Sequence, residues 1–246
     1  MKLSTRILSL ALIVVPAVPV LAAPAAAAAP VVPAPVVVAR YSFDTTVAGR
    51  IPDLSGRGTP LTIRTAAGGA LRYVTVGANR YVGLPVRCAT TGACPRALLE
   101  GTDDPDLDPG TQTFRWGASI NIGKAQLAGS SNIMQKGVAN TESQWKMQVG
   151  ATHGRAQCVA AGRGSAKPYL VRSSVAVADG TWHKLQCVRS GAALAIYVDG
   201  VARGSVAVPA TMSLSNDKPL RIGGPNFNTS SDMYHGYLDD VYASLG

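Results

Sequence analysis

From Val36 to its end, the chain is written in short runs whose apolar residues recur at every second position, cut by Gly, Pro, Asn and Asp. No window sustains a helical period over three turns. Side chains of an extended strand point alternately to its two faces, so this pattern predicts strands with one buried and one wet side. The clearest is 114–122, where Phe114, Trp116, Ala118, Ile120 and Ile122 alternate with Arg115, Gly117, Ser119 and Asn121. Residues 194–198, followed by Asp199-Gly200 and Val201, read as a tight hairpin, because Asp-Gly tolerates positive φ at both central positions of a type I′ turn. Further strands are predicted over 37–43, 61–64, 71–76, 81–86, 133–135, 145–149, 155–160, 169–172, 182–189, 220–222 and 237–243. Many short strands with Gly-rich connections and almost no helix predict an all-β fold of two packed antiparallel sheets. Trp116, Trp145 and Trp182 each sit in a predicted strand and are assigned to the core. Arg221 and the other strand arginines are assigned to solvent.

The first 29 residues stand apart from this pattern. Lys2 and Arg6 precede an apolar stretch, 7–15, broken only by Ser9, which runs through Pro16 and Pro19 into an Ala-rich segment with several A-x-A sites. That is the layout of an export signal, with a cut placed near residues 25–29. A membrane anchor needs roughly 20 predominantly apolar residues, and this run meets prolines at about half that length. Residues 30–35 form a Val/Pro-rich, semi-rigid linker. The remainder, 36–246, has the length of one large all-β domain and no internal repeat. The chain therefore reads as secreted, with no membrane span once the signal is removed.

Four cysteines in an exported chain are the condition under which disulfides form and persist. Three pairings are possible. Cys88 with Cys94, across the turn 89–93, and Cys158 with Cys187, each inside a predicted strand, is the favoured set. The second bridge closes a loop of about 30 residues, for which chain entropy gives ~3 to 4 kcal/mol of stabilisation. Zinc is disfavoured, since no pair has the spacing of a structural site.

Lys plus Arg outnumber Asp plus Glu by 23 to 14, a net charge of +9, which becomes +7 once Lys2 and Arg6 leave with the signal. Such a surface can be steered toward acidic polymers, but the favoured reading is a soluble surface with no particular partner. Yet the basic residues are scattered singly, as in Arg64, Arg72, Arg80 and Arg87, without the clusters and stacking aromatics of a nucleic-acid binder. Nucleic acid is not an expected partner.

Several short motifs, in order, resemble one family. Asp179-Gly180-Thr181-Trp182-His183-Lys184-Leu185, the Tyr197-Val198-Asp199-Gly200 hairpin, Leu220-Arg221-Ile222-Gly223-Gly224 and Gly236-Tyr237-Leu238-Asp239-Asp240-Val241 resemble the closing half of laminin G-like domains. Tyr41-Ser42-Phe43-Asp44 and the segment 53–58 resemble their opening. The resemblance covers about 36–246, is densest after Asp179, and is thin between Val76 and Phe114. It implies the concanavalin A-like, laminin G-like jelly-roll sandwich. It implies less about function, because sites are grafted onto folds.

The same superfamily contains β-glucanases, so the carboxylates bear on whether the chain is an enzyme. Glycoside hydrolysis normally needs an acid and a nucleophile or base flanking the bond. The chain has only two glutamates, Glu100 and Glu142, far apart in predicted loops, and the paired-Glu catalytic strand of the sandwich glucanases has no counterpart. His153, His183 and His235 lack a motif partner, and His183 reads as structural. The sequence reads as non-catalytic, with a degenerate glycoside hydrolase as the remaining alternative.

What the resemblance implies instead is binding, with calcium as a structural ion. Asp44 at the end of the opening strand and Asp239 and Asp240 in the closing strand are the candidate ligands, since a hard cation needs several oxygens. The acidic segment 104–110 starts like an EF-hand loop, but Pro109 stands at its glycine position and Arg115 at its bidentate glutamate, so it reads as a turn-rich solvated loop. For a ligand, the segment 225–235 mixes aromatic, amide and carboxylate groups, as sugar sites do. Asn226, Phe227, Asn228, Asp232, Tyr234 and His235 are its candidate contacts, against the plainer reading of a loop pinned by Phe227 or Tyr234. The expected partner is an extracellular glycan or other polymer, acidic ones included, or alternatively a protein in an adhesive role.

Overall fold

The structure is a computed structural model, and it describes residues 34–88, 93–139, 141–165, 167–227 and 232–246. The export signal and most of the linker lie outside the described residues. Chain from Ala34 to Gly246 forms one compact unit. Among the described residues no helix is long and apolar enough to cross a membrane.

The chain opens with β1 (Val36–Tyr41), β2 (Thr62–Ala66), β3 (Arg72–Val76), β4 (Asn79–Gly83) and β5 (Arg96–Glu100). Next come β6 (Phe114–Gly123), β7 (Ser130–Gly137), β8 (Gln144–Gly150), β9 (Arg155–Ala161) and β10 (Tyr169–Ala176). It closes with β11 (Asp179–Ser190), β12 (Ala193–Val198), β13 (Val201–Ala207), β14 (Arg221–Ile222) and β15 (Tyr237–Leu245). They form two antiparallel sheets. The first, of eight strands, runs β13-β12-β11-β6-β15-β4-β3, with β1 also on β15; the second, of seven, runs β10-β9-β8-β7-β14-β5-β2.

The expected alternation in β6 is observed. Its even positions from Phe114 to Ile122 are all buried, while Arg115, Ser119 and Asn121 are only partly so. Between the sheets, Trp116 of the first lies 5.7 Å from Trp145 of the second, and Phe114 lies 5.5 and 5.2 Å from the two rings. The predicted hairpin is also present, with φ of +52° at Asp199 and +78° at Gly200. One strand went unforeseen. In β5 the buried run Ala97-Leu98-Leu99 has no alternation, and a short continuous apolar run carries no period by which to recognise it.

Both disulfides pair as favoured. Cys88 joins Cys94, and Cys158 of β9 joins Cys187 of β11 with 5.7 Å between their Cα atoms. Stacked sheets usually lie about 10 Å apart, so the second bridge marks where the two layers close on each other. It staples one sheet to the other.

Buried cations correct the expectation that basic and acidic residues stay in water. Lys136 sits on β7 opposite Trp145, wholly inside, and its Nζ donates to Asp108 at 2.8 Å and to the Asn216 carbonyl at 2.5 Å, with Asp103 at 2.9 Å. Thus the acidic segment expected to be solvated is a clamp for a core lysine. Asp104 caps its 3-10 turn by accepting from the Asp106 N–H. Arg189, also fully buried, donates to the carbonyls of Thr111, Gln112, Ala210 and Met212. Nor is Arg221 simply solvated, being bound to Glu100.

Replacing Cys158 and Cys187 together by Ala should lower the unfolding free energy by about 3 kcal/mol, read from the midpoint in urea. A change below about 1 kcal/mol would mean the bridge restrains a chain already restrained by its neighbours.

Candidate functional site

The seven-stranded sheet has an outward face built by parity. In β8, Trp145, Met147 and Val149 point to the core, which leaves Gln144, Lys146 and Gln148 on the other side. Register extends that face across neighbouring strands. Gln148 stands opposite Asn132 of β7 and Gln157 of β9, and Gln157 opposite Arg172 of β10. In the next row Lys146 stands opposite Gln135 and Val159, Gln135 opposite Arg221, and Arg221 opposite Glu100 of β5. The result is a polar strip crossing the sheet.

Its members are withdrawn from water although they face away from the core. Asn132, Gln135, Lys146, Gln148 and Gln157 are all at most 8% exposed. Hydrogen bonds hold the amides in fixed orientations: Gln148 donates across to Gln157 of β9 at 2.6 Å, and Asn132 donates along β7 to Gln135 at 2.6 Å. The Asn132 Oδ1 is buried without a hydrogen-bond partner among the described residues. A buried amide oxygen left unpaired costs about 1 to 3 kcal/mol, so the strip is not satisfied by itself. At one end a cleft of about 400 Å³ is lined by His153, Arg155, Gln157 and Arg172. At the other a smaller one of about 160 Å³ is lined by Arg64, Leu98, Glu100, Arg221, Asn226 and Phe227.

The segment expected to bind ligand rims this face, and only part of it can do so. Asn226 and Phe227 line the smaller cleft, with the Arg96 guanidinium 5.7 Å from the Phe227 ring. Asp232 lies beside the start of β7, where its carbonyl accepts from Asn132 N–H at 3.0 Å and its carboxylate from Ser130 N–H at 3.4 Å. Asn228 lies outside the described residues. Tyr234 and His235 require correction. Tyr234 is fully buried, its hydroxyl donating to carbonyls of Asn121 and Tyr237, and His235 is buried with Nδ1 2.7 Å from the Pro85 carbonyl. Tyr234 pins the loop, as the plainer reading had it, and His235 pins it beside Tyr234.

Glu100 is held differently from a catalytic acid. Burial pushes its carboxyl up, but bonds from Arg221 at 2.7 Å and Arg64 at 2.5 Å together outweigh that and keep it below its ordinary value. Glu142 pairs with Lys218 at 3.0 Å.

The eight-stranded sheet carries a second surface that sequence reading missed. Trp182, assigned to the core, is 41% exposed. It stands opposite Asn121 on the wet side of β6, in regular alternation with Leu185 and Cys187, which point inward. Tyr81 packs edge-on at 5.0 Å, and Tyr237 packs on Tyr81 at 5.4 Å. Two adjoining clefts, about 650 and 620 Å³, share Ser119, Lys184 and Asp240; Trp182 and Tyr81 line the first, Tyr197 and Tyr242 the second. His183 beside them is structural. Its ring joins Asp199 at 2.8 Å and Asp179 at 3.2 Å, clamping the start of β11 to the β12–β13 hairpin. Burial pushes that imidazole down, but the two carboxylates outweigh it and hold it above its ordinary value.

The three acids named as calcium ligands fall at one place. One edge of β15 belongs to β6, and the other is shared end to end by β1 and β4, with Asp239 and Asp240 at the junction. Asp44, just beyond β1, accepts from the Arg80 N–H at 2.9 Å. Asp239 accepts from Asn79 at 2.9 Å and from the Asp240 N–H at 2.8 Å, and Asp240 lies 3.8 Å from Arg40. Burial first, and the neighbouring Asp240 and Asp44 charges with it, push the Asp239 carboxyl up despite those bonds. Among the described residues no group of three or more His, Cys, Asp or Glu side chains is close enough to hold a metal ion by itself.

A family model described as the concanavalin A-like lectin/glucanases superfamily matches residues 102–244. No curated protein matches the chain. Among solved structures, domain 4 of AbnA, a GH43 extracellular arabinanase from Geobacillus stearothermophilus in complex with arabinotriose, superposes with a TM-score of 0.64 at 17% identity, covering 86% of this chain and 93% of that one. The binding domain of Paraclostridial Mosquitocidal Protein 1 gives 0.59 at 12% identity, covering 85% of this chain and 48% of that one. The binding domain of botulinum neurotoxin DC in complex with rat synaptotagmin II gives 0.61 at 11%, again covering 85% and 48%. At such identities the likeness is one of fold.

Trp116 and Trp145 are fully buried and Trp182 is not, so Trp182→Phe should abolish most acrylamide-quenchable fluorescence. Quenching that survives the substitution would place a second indole in water.

Proposed function

The chain belongs to the concanavalin A-like lectin/glucanases superfamily, and on that premise we propose that it is an exported, non-catalytic module that binds carbohydrate along the outward face of its seven-stranded sheet. The observation that carries this reading is the strip of oriented amides, Asn132, Gln135, Gln148 and Gln157, facing away from the core yet almost out of water. Sugar hydroxyls both donate and accept, as amides do. Groups already held by hydrogen bonds to one another lose little further freedom when a ligand arrives, which is where affinity is otherwise lost. Asn226 and Phe227 at the rim add an amide and an aromatic edge. The neighbour solved with arabinotriose supports a carbohydrate. Two disulfides and the leader pattern support export.

The locked Glu100 and the paired Glu142 support a binding role over hydrolysis, since a general acid needs its carboxyl raised, not lowered. A protein partner is the second reading. It is favoured by the other sheet, where Val37, Val76 and Trp182 are exposed on the walls of the two larger clefts.

Calcium is proposed at the β1–β4–β15 junction, on Asp239 with the neighbouring Asp44 and Asp240, whose side chains would have to draw closer to share it. Backbone carbonyls would have to complete its shell. An ion there would relieve the repulsion that the neighbouring carboxylates impose on Asp239. On this proposal a chelator lowers the melting temperature by several degrees and calcium restores it. An unchanged melting curve removes the ion.

For the glycan, a panel including arabino-oligosaccharides, read by calorimetry, should yield a ligand whose affinity falls at least tenfold on Gln148→Ala or Gln157→Ala, about 1.4 kcal/mol. Loss on Trp182→Ala with both glutamine variants unaffected would move the function to the other sheet.

A further inference from the structure

Three Lys or Arg side chains are buried among the described residues, and two of them have bonded partners for their charge, although the Arg189 Nε is left without one. Lys136 has Asp108, Asp103 and a carbonyl around its Nζ, and Arg189 donates to four carbonyls. Lys146 is the exception. At 8% exposure its ammonium makes no hydrogen bond or ion pair with any described residue.

Its surroundings make this costly. Lys146 points away from the core, between Gln135 on one neighbouring strand and Val159 on the other. Burial pushes its amine down, and the Asp232 carboxylate, acting at a distance, only partly offsets this. Its stem is buried against the sheet while the ammonium tip keeps some contact with water at the outward face, so the charge is held partly desolvated with no anion of the protein bonded to it. The rest of the strip does not supply the missing anion. Glu100, in the same row, is already shared by Arg64 and Arg221. Arg155 and Arg172 add further positive charge in the cleft beside Gln157.

We infer that Lys146 is the anion-reading group of this face and that the bound carbohydrate carries a carboxylate, as a uronic-acid sugar does. This rests on the carbohydrate-binding reading and narrows it to a ligand class. A carboxylate offers two coplanar oxygens. One meets the ammonium, and the other comes within reach of the second amide N–H of Gln135 or Gln148, whose first N–H is held by the sheet. A neutral sugar at this place would leave the ammonium as poorly paired as it is now.

The test uses the full chain, titrated calorimetrically with trigalacturonic acid and with its methyl ester. The acid should bind at least tenfold tighter than the ester, and raising the salt should narrow the gap. Lys146→Met, which keeps the stem and removes the charge, should abolish the preference without lowering the melting temperature, because the charge it removes has no partner in the protein. Equal binding of acid and ester overturns the inference while leaving the carbohydrate reading intact. Absence of binding by both also overturns it, and the carbohydrate reading falls too only if the neutral oligosaccharides of the wider panel fail as well. A melting temperature lowered by Lys146→Met would mark the lysine as a partnered structural group, and that likewise overturns the inference.

Discussion

Register on β6 governs the eight-stranded sheet. This strand lies between β11 and β15, and every pairing across it, from Leu185 with Ala118 to Ala243 with Trp116, repeats the choice of which side meets the core. A slip of one residue would turn Trp116 and Ile120 outward together and expose Arg115 and Asn121 to the interior. The aromatic group of Phe114, Trp116 and Trp145 then carries that choice across to the second sheet, and the Cys158–Cys187 bridge fixes the two layers where they converge. The polar strip and the aromatic platform are both consequences of this parity.

Polar groups inside the sandwich serve the connections instead of the sheets. Lys136 draws in the acidic segment around Asp108 and the chain at Asn216, while Arg189 gathers carbonyls from two loops. Each ties segments distant in sequence to one point. Removing one partner of such a group leaves a charge stranded in low dielectric, which is far more costly than never burying it. Loops at this end are therefore fixed by the core, and the recognition surfaces lie on the sheet faces and on the rim near Phe227.

The two faces differ in chemistry. That of the seven-stranded sheet is lined by amides and cations with little aromatic area, suited to reading hydroxyls and carboxylates. On the eight-stranded sheet, Trp182, Tyr81 and Tyr237 form an exposed aromatic platform beside mixed charges, suited to stacking or to a protein side chain. A sandwich supports both because alternation makes the outward half of each strand independent of the core it closes.

By itself the sequence determined most of the strands and the hairpin at Asp199-Gly200, and it favoured one of three pairings of the cysteines, since each rests on neighbours in the chain: a period of two, a turn type, a short span or a place within a strand. It could not reveal β5, whose buried run of Ala97, Leu98 and Leu99 has no period. Placing Trp182 in the core overlooks its alternation with the inward Leu185 and Cys187, and the sequence could not show that Tyr234 and His235 are pins and not contacts. The alternation Gln144, Lys146, Gln148 was plain in β8; that these side chains leave water, and that Lys146 does so without a partner, was not. Burial and pairing are properties of what the other strands bring alongside, and only the tertiary structure decides them.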